Sequence, residues 1–407
     1  MKQQSKKQRQ FFGVALLTIL VVLSNGFINS GNGSLVKAQE SGSDGTSILP
    51  IIATPTVLAI DSSNAANLYA GTINGVFKSS DSGASWRQVG LRGLYVSTLT
   101  IAPSDPNILY AGIYPTGNCN EYTNRVFKST NGGTGWQPLG AFTYLNGCEE
   151  ILAVAVAPSN PNVLYVSIYS EDVIPTLARS DDGGNNFVEL SGFYFPVVAV
   201  DSYNPYTVYV GTYGYEPNYN YNGLYKSANG GFDLTNIALA GYGISALTLD
   251  PRRRGIRAPF EKSRTIYAAA NIYLASSGEI FQGLFKSVSG AWFTINNGLE
   301  SLIGTSNGIR SLVIDPNNPD ILYVGTNGSG VFQSTDGGAS WTPFNIGLPN
   351  LSISSLAITN DTSAILYAIA GDSIFKFINN RWVRLPDLIV PPPPGPIPGS
   401  SGSPKGN

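Results

Sequence analysis

The chain has 407 residues, enough for one large domain or two ordinary ones; 12% are charged and the formal net charge is −2. That balance lacks the basic surplus nucleic-acid binding requires, and the complete absence of His excludes His-based triads, HExxH zinc sites and imidazole general bases. With 46 Gly, 26 Pro and 22 Tyr against a single Met, the composition suits many short strands joined by turns.

The first predicted element is an export signal over residues 1–38. A basic head, "MKQQSKKQRQ", precedes an apolar run from Phe11 to Phe27, and "VKA" at Val36 to Ala38 fits a cleavage site. The run nears the lower limit for a membrane span, so a retained anchor is the alternative reading. Either way the chain is expected outside the cytoplasm, secreted or at the cell surface. Residues 39–53 read as a linker.

From about Thr54 to Pro386 the chain repeats. The pairs Leu68-Tyr69, Leu109-Tyr110, Leu164-Tyr165, Val208-Tyr209, Ile266-Tyr267, Leu322-Tyr323 and Leu366-Tyr367 recur at spacings of 41 to 58 residues. Each follows an alternating apolar run such as "VLAID" or "SLVID". Most precede a Gly turn and a third run such as "GVFKSS" or "GLYKSA", and a short fourth run such as "WRQVG" closes the unit. Four short strands at this period predict an all-β, seven-bladed β-propeller of four-stranded antiparallel blades. The expected blades cover 54–93, 94–147, 148–192, 193–240, 241–300, 301–348 and 349–386. A four-stranded blade cannot bury both its faces alone, and ring closure leaves fewer exposed edges than an open stack.

Between the third and fourth runs lies a recurring hairpin, "SSDSGASW" in blade 1, with Ser79, Asp81, Gly83 and Trp86. Blade 6 repeats it with Ser334, Asp336, Gly338 and Trp341, and blade 3 with Ser180, Asp182, Gly184 and Phe187. Blade 2 has Asn131 and Trp136. The blade 4 version, "SANGGFDL", is degenerate, and those of blades 5 and 7, "SVSGAW" and "FINNRW", are shortened. An Asp carboxylate in such a turn accepts bonds from the turn's own N–H groups, Gly supplies a conformation other residues disfavour, and Trp wedges between layers. All five Trp residues, at 86, 136, 292, 341 and 382, occupy this position, which assigns them to the scaffold and not to sugar stacking. The pattern S-x-D-x-G-x-x-W is the Asp-box, and the repeat region resembles the BNR-repeat propellers. That group includes sialidases, xyloglucanase-type glycosidases, sortilin-like receptors and photosystem assembly factors, so the resemblance implies a fold more than an activity.

With strands A to D running outward from the axis, the A–B and C–D loops share one face and the B–C and D–A loops the other. The resemblance implies ligand binding on the second face. There the B–C loops of blades 2 to 5 are long, and they carry Tyr114, Tyr122, Tyr169, Tyr213, Tyr215, Tyr219, Tyr221, Tyr273 and Phe281. Long Tyr-rich loops suit sugar or peptide recognition, and packing of one loop on the next is the alternative. Cys119 and Cys148 map to the same face; a single Cys pair in an exported chain predicts a disulfide, contributing roughly 3 kcal/mol through loop closure.

A hydrolase would need paired carboxylates or a sialidase-like Tyr and Arg cluster. The candidate acids are Glu121, Glu149 and Glu150, with Glu171, Asp172, Glu216, Glu279 and Glu300 on the same face; the candidate Arg residues are Arg92, Arg125 and Arg310. The Phe-Arg-Ile-Pro signature of sialidases is absent, and a solvated charged rim is the favoured reading. On the opposite face, "PRRRGIRAPFEKSR" at 251–264 adds Arg252, Arg253, Arg254, Arg257, Lys262 and Arg264, a solubilising loop or a dock for an acidic partner. Residues 387–407, rich in Pro, Gly and Ser, read as an extended tail. The expectation is an exported, monomeric binding module for a glycan or protein ligand, without cofactor, metal or nucleic acid. The alternatives are a glycoside hydrolase and an assembly or adhesion scaffold.

Overall fold

The computed structural model describes residues 50–114, 125–140, 149–169, 176–191, 197–212, 222–252, 265–274, 279–302 and 308–392, with the backbone alone at 191, 271–274 and 279–282. They form seven four-stranded antiparallel sheets, each a meander in chain order, together with one two-stranded ribbon. The innermost strands are Pro55–Ile60, Tyr95–Ala102, Glu150–Val156, Val197–Val200, Gly243–Leu249, Ile309–Ile314 and Ile353–Ile358. Each touches the next around the axis, and the first touches the last, so the ring is closed. The second strands, such as Leu68–Thr72 and Leu322–Thr326, are buried along their whole length. That is why they read as continuous apolar runs: a neighbouring blade covers each face.

One repeated contact joins the blades. Tyr69, Tyr110 and Tyr267 of the second strands donate their hydroxyls to the carbonyls of Gly132, Gly183 and Gly337 in the following blade's hairpin, at 3.1, 3.4 and 3.3 Å. The Lys of the third strand grips the same carbonyl: Lys128 Nζ to Gly183 at 2.9 Å and Lys286 Nζ to Gly337 at 2.7 Å. The Lys also lies over the Tyr ring, at 5.5 Å for Lys128 on Tyr110. In blade 7, Tyr367 reaches Ser82 of blade 1 at 3.3 Å and so fastens the closure. Burial pushes the Tyr165 and Tyr367 hydroxyls up to about 12, so they stay protonated donors.

The hairpins being gripped are closed internally. Ser79 Oγ donates to Asp81 Oδ1 at 2.7 Å and accepts from Gly83 N at 2.8 Å, while Asp81 accepts from Ser85 N at 2.9 Å and from Ser85 Oγ. Asp182 and Asp336 repeat the pattern with Asn186 and Ser340. The degenerate blade 4 turn is closed as well, with the polarity reversed: Asn229 Nδ2 donates to Asp233 at 2.7 Å. Blades 5 and 7 replace the turn with two-residue hairpins at Ser289-Gly290 and Asn379-Asn380, all at positive φ, the geometry that matches strand twist. At Gly83, with φ 91°, a Cβ would collide with Leu385 of blade 7. The Trp wedge is fullest at Trp341 and Trp382, which are buried and donate across to Ile295 O and Phe344 O of the preceding blade. Trp86, Trp136 and Trp292 are half-buried, and Phe187 packs at the edge of the core between blades 2 and 3.

The fold extends past both expected limits of the propeller. Ile51–Ile52 pairs with Ile389–Val390, and Ala53, Leu388 and Val390 are buried with Ala70, Phe77, Ile369 and Ile374. The short apolar stretches "PIIA" and "LIV" explain this; beside the polyproline run they are easily read as linker and tail. The predicted signal and the remainder of the tail, 393–407, lie outside the described residues. Among the described residues no helix is long and apolar enough to cross a membrane.

Candidate functional site

Because the strands of each meander alternate in direction, every innermost strand starts on the face that carries the B–C loops. In six blades that start contains a register shift of one residue: at Pro55/Val57, Val96/Thr98, Ile151/Ala153, Ile244/Ala246, Ile309/Ser311 and Ile353/Ser355. Such bulges re-aim a side chain, and here the extra residues are Thr56, Ser97, Leu152, Ser245, Arg310 and Ser354. Thr56 Oγ1 donates to Val96 O of the next blade at 2.6 Å, and Ser97 Oγ to Ile151 O at 3.0 Å. Small hydroxyls thus form a partial collar at one end of the channel, and those of blades 1 and 2 tie their inner strands to the next blade.

Arg310 breaks that collar. Its Nε and Nη2 are buried and bond to no group among the described residues. Burial lowers its pKa to about 10, which still leaves it charged at neutral pH. Blade 6 therefore holds a half-buried positive charge at the start of its innermost strand.

Blades 2 and 3, each three steps from blade 6 around the ring, carry a different chemistry at the same level. Tyr95 pairs in register with Tyr114, their rings edge to face with centroids 5.2 Å apart. Glu150 pairs in register with Tyr169. Burial, the Glu150 charge and Tyr114 raise the Tyr95 hydroxyl well above its usual range, so Tyr95 acts as a neutral donor. Glu149, Glu150 and Arg125 are 1%, 2% and 2% exposed, and each engages partners of its own. A carboxylate that protonates or attacks a glycosidic bond must reach the sugar, and these two are buried.

The remaining predicted residues separate. Arg92 is exposed and donates to Pro391 O, which ties it to the terminal ribbon. Glu300 is exposed and accepts from Gly298 N at 2.9 Å, capping a short 3-10 turn. Arg252, first of the basic insertion, is held by Asp250 at 2.8 Å and Asp320 at 3.2 Å, a local tie within the loop face. Glu121, Tyr122, Glu171, Asp172, Tyr213, Tyr215, Glu216, Tyr219 and Tyr221 lie outside the described residues. So do Cys119, Cys148 and the rest of the insertion, and Tyr273, Glu279 and Phe281 are described in backbone only. At the far end of the channel an apolar cavity of about 380 Å³ is lined by Ile60, Leu249, Val313, Ala357 and Ile358. Sequence reasoning missed Tyr95 and the collar; the Ser or Thr near the start of the first run in blades 1, 2, 5 and 7 was the available signal.

No family model and no curated protein matches the chain. Among solved structures it is similar to the GH74 xyloglucanase from Xanthomonas campestris, at 17% identity and a TM-score of 0.62, over 81% of this chain and 52% of that one. It is also similar to YCF48 bound to D1 peptide, at 12% identity and a TM-score of 0.50, over 80% of this chain and 93% of that one. A third is the extracellular domain of a one component system from B. thetaiotaomicron, at 14% identity and a TM-score of 0.55, over 79% and 38% of the two chains. The chain thus spans about half the length of the xyloglucanase, and at these identities the likeness is one of fold.

Proposed function

We propose that this chain is an exported binding propeller that takes a carboxylate-bearing segment of another protein at the channel mouth, on the face of the B–C loops. Arg310 carries the reading. A half-buried cation with two unbonded nitrogens opposes folding, and the position is filled by a small hydroxyl in most other blades. A ligand carboxylate that reaches the half-buried guanidinium would supply the missing charge. Tyr95, Tyr114 and Tyr169 across the channel would offer aromatic surface and hydroxyl donors to the rest of the segment. The match with a peptide-bound propeller over 93% of its length supports a single ring that binds, whereas the xyloglucanase match covers 52% of that enzyme. The burial of Glu149 and Glu150 weighs against the hydrolase reading.

The test is Arg310→Met. The melting temperature should stay level or rise, because an unpaired charge is removed. Affinity for Asp/Glu-rich peptides with free carboxylates, read by calorimetric titration, should fall at least tenfold, a loss amidation of the peptide should reproduce. Equal affinity of the variant, or peptides that never bind, would sink the proposal. Uronic-acid oligosaccharides bound instead would transfer Arg310 to an acidic glycan, and turnover of fluorogenic glycosides would restore the hydrolase.

A further inference from the structure

We propose a second binding site, for a neutral glycan, in the groove between the outer edges of blades 2 and 3. It lies on the C–D face, away from Arg310, and does not depend on the reading above. Five blades close the same hairpin with Ser at its start and Asp or Asn two residues on. In four of them the second side-chain atom of that Asp or Asn is satisfied by the residue four further on. Ser85 bonds Asp81, Asn186 bonds Asp182, Asp233 accepts from Asn229, and Ser340 bonds Asp336. Blade 2 alone has Gly at that place, Gly135.

The consequence is local and specific. Asn131 Oδ1 still accepts from Ser129 Oγ at 2.9 Å and from Gly135 N at 2.8 Å, so the turn remains closed. Its Nδ2 donates to no group among the described residues. Gly135, whose Cβ would stand 2.9 Å from Asn131 Nδ2, instead lines a groove of about 390 Å³, within the range of small-molecule sites.

The lining indicates the ligand. Thr130, Asn131, Gln137 and Asn185 are exposed and present hydroxyl and amide groups, which pair with sugar hydroxyls as both donors and acceptors. Trp136, set aside with the other repeat Trp residues on sequence grounds, forms a wall of the groove. Its indole N–H is committed to Gly133 O at 2.8 Å, so it offers the ligand only ring surface. Among the described residues the lining contains no carboxylate, and its one cation, Lys128, is held on Gly183 O at 2.9 Å. An ionic ligand would find no free counter-charge there, whereas a neutral oligosaccharide needs none.

Blade 6 supplies the experiment, because its turn reads "STDGGASW" where blade 2 reads "STNGGTGW". The double variant Asn131→Asp, Gly135→Ser gives blade 2 the Asp and Ser that bond to each other in the blade 6 turn, and it sets a hydroxymethyl group and a carboxylate at the edge of the groove. Wild-type protein should bind at least one of cellohexaose, xylohexaose and mannohexaose by isothermal titration. The double variant should lose at least tenfold in affinity with its melting temperature level or raised. Gln137→Ala, which leaves the turn intact, should weaken binding severalfold, and Arg310→Met should leave it unchanged. No binding of any of the three hexasaccharides, or equal binding by the double variant, overturns the site. Sensitivity to Arg310→Met would move the glycan to the channel mouth and overturn it as well.

Discussion

At the residue scale, the Asp81 carboxylate accepts from Ser85 and Ser79, and these bonds hold its pKa at about 2, against an ordinary value of 3.8. Asp182 is also lowered to about 2, by the Asn186 backbone and side chain, and Asp336 is lowered by Ser340. A folded-state pKa below the unfolded value means that protons bind the unfolded chain first. The latches therefore contribute fully above about pH 4, and their contribution is lost as pH falls toward 2. Melting temperature should decline through that window. The triple variant Asp81→Asn, Asp182→Asn, Asp336→Asn should have a flatter acid limb, measured by thermal unfolding from pH 5 to 2. Asn131 and Asn229 already close their turns with amides, so the variant should fold. The turn chemistry was legible in the sequence because every partner lies within four residues. The clasp of Tyr and Lys on the next blade's carbonyl was not, since Tyr110 and Gly183 are 73 residues apart.

At the scale of elements, the terminal ribbon decides how the ring is sealed. Leu388 is 2% exposed, and its carbonyl accepts from Ala53 N at 2.8 Å, so the last folded residues pack beneath the first blade. Leu388→Ala should cost about 3 kcal/mol as a large-to-small core change, read by denaturant titration. Removal of residues 393–407 should leave the midpoint unmoved, and removal of everything after Arg384 should lower it more than Leu388→Ala does. The bulges are the other element-scale device. A period-two pattern identifies Ile309–Ile314 as a strand, but one extra residue re-aims everything before it. Sequence alone did not show that Arg310 occupies the bulge position that holds a small hydroxyl in blades 1, 2, 5 and 7.

At the scale of the molecule, the two faces divide the work. The C–D face carries the latches and the clasps that hold neighbouring blades, and the opposite end of the channel carries the Arg310 charge and the Tyr95–Tyr114 pair. Asp81→Ala should accordingly lower the melting temperature while the affinity of the folded protein for acidic peptides stays unchanged. A selective loss of affinity, with melting unaltered, would show that the faces are coupled. The sequence by itself determined the seven-fold repeat, the strand order within each blade and the hairpin latches, because these follow from local periodicity and short-range bonds. Only the tertiary structure decided which charges are satisfied. Glu149 and Glu150 are buried and engaged with their surroundings, and the half-buried Arg310 leaves Nε and Nη2 unbonded among the described residues. Partnership depends on which side chains ring closure brings together from distant blades, and no pattern along a single strand encodes that.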